Sequence, residues 1–364
     1  MQSEHYMKLA LSMADSTRGQ TSPNPAVGAV VVKDGEVVGM GAHLKPGEGH
    51  AEVNALDQAG EKAEGADIYV TLEPCSHFGK TPPCSNLIID RKIKRVFIAC
   101  TDPNPLVAGQ GIKRLKEAGI EVHTGICEQE ALEINKHFFH FIQYKTPYVT
   151  LKTATTLDGK TATADGDSKW ITSESSRKDV HYDRHRHDAI LVGVNTVIQD
   201  NPHLTTRLPQ GGKNPIRIIL DTHLRTPIES NVVQDNESKT IIITGKNVSK
   251  EEVERYESDY CEIVPLDNSK LTIQEVLEEL GKRSITSLYV EGGSSIHYSF
   301  LEEAAFQELV VYLAPKLVGG KEAFTSFGGR GFSSIAEGQE VEILSTEKLE
   351  NDIKIIAVPK KCNQ

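Results

Sequence analysis

Short apolar runs alternate along this chain with segments whose apolar positions return at helical spacing. Residues 1–19 mix apolar and polar positions as an amphipathic helix does. The apolar runs 29–32 and 37–40 flank Lys33-Asp34-Gly35-Glu36, which predicts a hairpin. A helix is predicted over 50–60, ending at Gly60, followed by a short buried strand at 68–72 and another at 95–99. Helical spacing returns over 111–118 and stops at Gly119, extended structure resumes at 120–122, and a long helix is predicted over 128–144. Beyond Lys145-Thr146-Pro147 the pattern starts afresh, with strands predicted at 148–154, 189–194, 215–221, 240–244, 287–291 and 308–314. A closing hairpin is predicted over 341–360. Interleaved strands and helices of this kind predict an α/β protein, with a boundary near residue 146 and domains at 1–145 and 146–364. No internal repeat links the halves, which favours two chemistries over one duplicated module.

Composition changes this picture in three ways. A chain of 364 residues is long enough for two domains that each bury a core. A net charge of −11 argues against a nucleic-acid partner, whose phosphates need a basic field. No apolar run approaches the roughly 20 residues that span a bilayer, and the N-terminus lacks the apolar core of a signal peptide. Six scattered cysteines do not form a disulfide framework. A cytoplasmic location is the expectation.

Two of those cysteines carry the strongest chemical signal. His50-Ala51-Glu52 is followed by Pro74-Cys75 and then Cys84, which supplies one imidazole, two thiols and a separate carboxylate. Zinc favours nitrogen and sulfur ligands in tetrahedral arrangement, and a catalytic site leaves one corner open. His50, Cys75 and Cys84 are the expected ligands of a single zinc ion per chain. Glu52 is expected to stay off the metal and move protons, as in zinc-dependent base deaminases. A structural zinc, with His43 or His77 at the fourth corner, is the competing reading, and it leaves Glu52 without a task. Cys100 reads as a core thiol; Cys127, Cys261 and Cys362 have no ligand partner at metal spacing.

Eight residues separate Cys75 from Cys84, where two are usual. The intervening Ser-His-Phe-Gly-Lys-Thr-Pro-Pro is a loop by composition. With Thr21-Ser22-Pro23-Asn24-Pro25 and Asp102-Pro103-Asn104-Pro105, this stretch resembles the deaminase of riboflavin biosynthesis. The second half carries Lys152-Thr153-Ala154-Thr155-Thr156-Leu157-Asp158-Gly159-Lys160, Gly193-Val194-Asn195-Thr196 and Glu291-Gly292-Gly293-Ser294. It resembles the reductase half of the same bifunctional family, so the likeness spans nearly the whole chain. One departure is Asn195, where the family commonly has glycine; asparagine tolerates the left-handed backbone better than most residues.

The resemblance implies a three-layer cytidine-deaminase-like N-terminal domain and a dihydrofolate-reductase-like C-terminal domain that uses NADPH. It implies deaminase substrate contacts at Asn24, His77 and Lys80. Cofactor contacts follow at Ala154, Trp170, Thr196, Asp200, Thr222 and the run Gly293, Ser294, Ser295, Ile296, His297, Tyr298 and Ser299. Reductase substrate contacts are implied at Ser168, Arg184, Leu204, Arg207 and Glu291, with the two arginines suited to a sugar phosphate. Lys152 and Asp200 are candidates for assisting proton transfer. Arg225, close to Thr222, is a candidate for the cofactor's 2′-phosphate. His181, His185 and His187 read as a charged helix face rather than a metal site. The implied substrates are small pyrimidine ribosyl phosphates, and a homo-oligomer is a family expectation. The competing functions are a nucleoside or RNA deaminase with a non-catalytic second half, and a zinc-stapled regulator that only binds a nucleotide.

Overall fold

The computed structural model describes residues 2–76, 82–104 and 108–360. The chain divides into two compact units at residues 145/146. Among the described residues no helix is long and apolar enough to cross a membrane.

The first unit runs Gln2–Ser16 (α1), Gly28–Lys33 (β1), Glu36–Ala42 (β2), Ala51–Ala59 (α2), Asp67–Leu72 (β3), Cys84–Asp90 (α3), Arg95–Cys100 (β4), Gln110–Glu117 (α4), Glu121–Thr124 (β5), Glu128–Ile134 (α5) and Lys136–Tyr144 (α6). Its five strands lie in the order β2-β1-β3-β4-β5, with β1 antiparallel to both neighbours and the last three strands parallel. Glycine decides how the helices reach this sheet. A Cβ on Gly28 would lie 2.0 Å from the Ala10 carbonyl oxygen of α1, and one on Gly41 would lie 2.5 Å from that of Ala51 in α2. Gly28 pairs with Ala42 across the β1–β2 ladder, so Gly28 and Gly41 point to opposite faces. The two helices therefore cover opposite faces of one sheet, giving three layers. Both sides of β1 are sealed, which explains its unbroken apolar run: Ala29, Val30 and Val31 are fully buried.

The predicted helix over 128–144 is two helices. The break falls at Asn135, whose side chain accepts from Ala26 N–H at 2.8 Å and donates to Ala26 O at 2.9 Å. Asn135 departs from helical backbone there, at φ −106° and ψ 15°, and periodicity does not reveal its long-range bond.

The second unit runs Tyr148–Thr156 (β6), Glu174–Arg186 (α7), Ala189–Gly193 (β7), Val194–Asp200 (α8), Ile216–Leu220 (β8), Asn231–Gln234 (α9), Thr240–Thr244 (β9), Lys250–Glu254 (α10), Cys261–Pro265 (β10), Ile273–Lys282 (α11), Ser287–Gly292 (β11), Ser294–Glu302 (α12), Glu308–Ala314 (β12), Val341–Leu349 (β13) and Asp352–Pro359 (β14). Nine strands form one sheet in the order β10-β9-β8-β7-β11-β6-β12-β14-β13. All pair in parallel except the closing hairpin, where β14 runs antiparallel to β12 and β13. The strand predicted at 189–194 stops at Gly193, and Val194 opens α8. Sequence pattern missed β10, an edge strand with Glu262 and Pro265 among its five residues. β11 sits between β7 and β6, although the chain visits β8 to β10 in between. Strand order reverses there, and such a switch point opens a crevice at the carboxyl ends of the strands.

Candidate active sites

In the first unit His50 stands immediately before α2 as its N-cap, and Cys84 is the first residue of α3. Cys75 lies just beyond the end of β3. His50 Nδ1 is 3.7 Å from Cys75 Sγ and 3.3 Å from Cys84 Sγ, and the three ligand atoms all fall within 4.8 Å of one another. Zinc bonds of roughly 2.0–2.3 Å in tetrahedral geometry put neighbouring donors about 3.3–3.8 Å apart. The residues present thus suit zinc in both donor type and spacing. The helix starts contribute as well: Cys84 N–H donates to Cys75 Sγ at 3.3 Å, favouring the thiolate. Hydrogen bonds from the Cys84 thiol and His50 outweigh burial and pull the Cys75 thiol down to about 4, while Cys84 moves up.

Glu52 is the second residue of α2, 3% exposed, with its carboxyl within hydrogen-bonding reach of the Cys84 thiol. Burial pushes that carboxyl up to about 7. Glu52, His50 and Cys75 line a cavity of about 240 Å³ together with Asn24, His43, Asp102, Asn104, Phe138 and Ile142. Asn24 sits in a turn closed by its own N–H to Thr21 O at 2.9 Å, and its amide nitrogen meets His43 Nε2 at 3.1 Å. His43 Nδ1 lies 3.2 Å from Gly49 O. Both ring nitrogens of His43 are thus engaged, which removes it as a fourth metal ligand; His77 and Lys80 lie outside the described residues. Motif reading singled out Asn24 but passed over Phe138 and Ile142. Four residues apart on α6, they supply an apolar wall.

The second unit holds a cavity of about 360 Å³ at the strand switch point. Its wall includes Lys152, Ala154, Ser168, Trp170, Arg184, Thr196, Asp200, Leu204, Arg207, Glu291, Gly293, Ser294 and His297. β6, β7 and β11 deliver residues from their carboxyl ends, and α12 begins at the Gly292-Gly293 turn. Thr222, Ser295, Ile296, Tyr298 and Ser299 are not brought to this wall. The side chains of seven residues entering a helix cannot all face one cavity, since successive side chains point about 100° apart. Ser294 and His297, three apart, share the cavity face. Ile296 packs on the apolar core, and Tyr298 donates to Glu302 at 3.2 Å. Thr222 O instead accepts from Gly245 N–H at 3.1 Å, and Arg225 donates to the Asn195 side chain at 3.1 Å.

A charged knot forms the cavity floor. Arg184 donates to both oxygens of Glu291, at 2.6 and 3.0 Å, and to Thr205 O at 2.9 Å. Lys152 Nζ lies 3.8 Å from the same carboxylate. Burial alone would raise the Glu291 carboxyl, but Arg184 and Lys152 overcome it and hold it at about 2. Arg184 was expected to fork a phosphate; its guanidinium already forks Glu291. Arg207, exposed at the rim, keeps the side chain suited to that task. His181 also departs from expectation. It faces the cavity and accepts Arg207 N–H at 3.4 Å, while burial and the two arginines push its imidazole down to about 4. His185 accepts Lys213 N–H at 2.9 Å, and His187 stands 2.7 Å from Asp183 O. Trp170 is 62% exposed with Arg177 stacked 4.6 Å over its ring, a contact invisible to sequence reading because the two lie on different segments.

Comparison with known proteins bears on both halves. Residues 1–100 match the cytidine and deoxycytidylate deaminase zinc-binding region, and residues 147–355 match the RibD C-terminal domain. The riboflavin biosynthesis protein RibD of Bacillus amyloliquefaciens is 51% identical over 357 residues, covering 98% of this chain and 96% of that protein. The solved structure of Acinetobacter baumannii RibD (form 1) superposes with a TM-score of 0.89 at 37% identity, covering 99% of each chain. A Thermotoga maritima diaminohydroxyphosphoribosylaminopyrimidine deaminase/5-amino-6-(5-phosphoribosylamino)uracil reductase gives the same TM-score, identity and coverage. With a zinc-ligand cluster in one unit, a switch-point cavity in the other, and both matched over their length, this chain belongs to the RibD family of bifunctional deaminase–reductases of riboflavin biosynthesis.

Proposed function

We propose that the first unit hydrolyses the exocyclic amine of 2,5-diamino-6-ribosylamino-4(3H)-pyrimidinone 5′-phosphate. The second unit then reduces the ribosyl chain of the product to ribityl. The observation that carries the first step is the convergence of His50, Cys75 and Cys84 beside the buried Glu52. Zinc held by those three residues supplies the Lewis acidity that brings the pKa of water toward neutrality. Glu52 takes a proton from the attacking water and passes it to a ring nitrogen, then takes the remaining hydroxyl proton and delivers it to the amine, which leaves as ammonia as the carbonyl forms. Its buried position lets one carboxyl serve as base and then acid. Asn24, steadied by His43, offers polar atoms to the substrate from the opposite wall.

For the second step NADPH supplies the reducing equivalents. Lys152, beside Glu291, carries the proton that the reduced sugar oxygen needs, and Asp200 at the exposed rim suits a ribose hydroxyl. Trp170 offers a flat face to a planar ring, with Arg177 keeping it in place, and Arg207 meets the sugar phosphate. A cytoplasmic homo-oligomer completes the proposal.

One assay reads both steps: ammonia release and loss of reduced-nicotinamide absorbance, followed together on the diaminopyrimidine ribosyl phosphate. Ammonia precedes NADPH oxidation on this reading. Dialysis against a chelator abolishes ammonia release, leaves NADPH oxidation on pre-deaminated substrate unchanged, and is reversed by adding zinc. Ammonia release that survives verified zinc removal rules out the proposed role of His50, Cys75 and Cys84.

A further inference from the structure

We infer that Glu73 is a positioning residue of the deaminase site, holding the Asp102–Asn104 wall against the strand that leads to Cys75. This inference rests on the deaminase reading given above. Glu73 is 3% exposed and directly follows β3. It has no lysine or arginine partner within salt-bridge distance among the described ion pairs. Its carboxylate instead collects backbone N–H groups, with Oε1 accepting from Gly111 at 3.0 Å and Ile112 at 3.2 Å. Oε2 accepts from Gly109 at 2.9 Å and Asp102 at 3.4 Å. Glu73 N–H in turn donates to Cys100 O at 3.0 Å. The carboxylate oxygens at the start of α4 thus satisfy helix donors that have no partner within the helix.

The wall held in this way belongs to the cavity. Asp102 Oδ1 accepts from Asn104 N–H at 2.8 Å, forming a tight turn, and both residues line the cavity beside His50 and Glu52. Glu73 lines it too, two residues before Cys75. α4 meets the Glu73-Pro74 backbone so closely that a Cβ on Gly111 would lie 2.1 Å from Pro74 O. Only glycine permits that approach, so Gly111 and Glu73 form one clamp. Arg114 of α4 adds a bond to Ser76 O at 3.3 Å.

Glutamine at 73 has one acceptor oxygen. Whichever way its amide turns, two backbone N–H groups face an NH₂ and lose their partner. The Asp102–Asn104 turn then shifts, and substrate contact weakens while the zinc ligands keep their own bonds. Glu73→Gln should therefore raise the deaminase KM by about tenfold, the worth of a hydrogen bond to a charged group. kcat and zinc content should stay close to wild type, as should NADPH oxidation on pre-deaminated substrate. Gly111→Ala, which disturbs the clamp from the other side, should give the same split. A double-mutant cycle separates positioning from general weakening: in an Asn104→Ala background, Glu73→Gln should add little further KM change. Wild-type KM in both clamp variants overturns the inference. So does loss of zinc with kcat falling in proportion, or full additivity with Asn104→Ala, since each makes Glu73 a scaffold residue. Absence of ammonia release from the zinc-loaded wild-type protein is a separate result that removes the deaminase reading itself.

Discussion

Glu52→Gln reduces ammonia release by about 10²–10⁴-fold, the usual worth of a positioned general acid–base, and leaves zinc bound. The substitution preserves size and one acceptor oxygen, and Glu52 is not among the three clustered ligands. What glutamine cannot do is gain and lose a proton. Glu52 sits fully buried beside His50 and Cys84, so bulk water does not substitute for it. NADPH oxidation on pre-deaminated substrate stays at the wild-type rate, because that cavity is built entirely from residues of the second unit. Metal content and ammonia release measured on one preparation decide the matter. Intact deamination by zinc-loaded Glu52→Gln eliminates the assigned role, and loss of zinc with loss of activity makes Glu52 a metal-site residue instead.

Glu291→Gln has the largest expected effect in the second unit. Arg184 and Lys152 both face the Glu291 carboxylate, and side-chain exposure there is 10%, 15% and 11% for Arg184, Lys152 and Glu291. Removing the anion leaves two buried cations without a counter-ion, at a cost of about 3–5 kcal/mol. Lys152 then sheds its proton more readily and moves, and a misplacement of about 1 Å costs on the order of 10²-fold in rate. The stability difference from wild type also has a defined pH dependence. Glu291 sits at about 2 in the folded protein, below the roughly 4.3 of an unfolded glutamate. Its contribution is therefore complete above about pH 4.3 and lost as the pH falls through about 2. Thermal unfolding of the two proteins should show a wide gap at pH 7 that narrows on acidification. A gap that stays constant with pH, or unchanged NADPH oxidation, contradicts the role given to this knot.

Much of this was readable from the residues. Hairpin 33–36, the strands leading to Cys75 and Glu291, and the helix opening at His50 all announce themselves through local periodicity and turn chemistry. The candidate zinc donors were legible because His-x-Glu and the cysteine pair declare ligand type directly, and the fold brings their ligand atoms together. The reductase contacts were less legible. A consecutive run such as 293–299 reads as one site, yet helix geometry turns only Gly293, Ser294 and His297 to the cavity. Arg184 invites a phosphate by composition alone, and Glu291, 107 positions away, has already taken its fork.

The sequence by itself determined the division into two α/β units, the candidate metal donors with the carboxylate beside them, and the family, because each depends on short spacings or on residue types rare enough to be specific. Tertiary structure alone decided which side chains are spent on the protein and which remain for ligand. Asn135 was spent on Ala26, His43 on Asn24 and Gly49, and Arg184 on Glu291, while Glu73 was committed to the start of α4. Pairing of this kind depends on which distant segments the sheets bring together, and a buried polar group takes whatever partner lies within about 3 Å, however far along the chain.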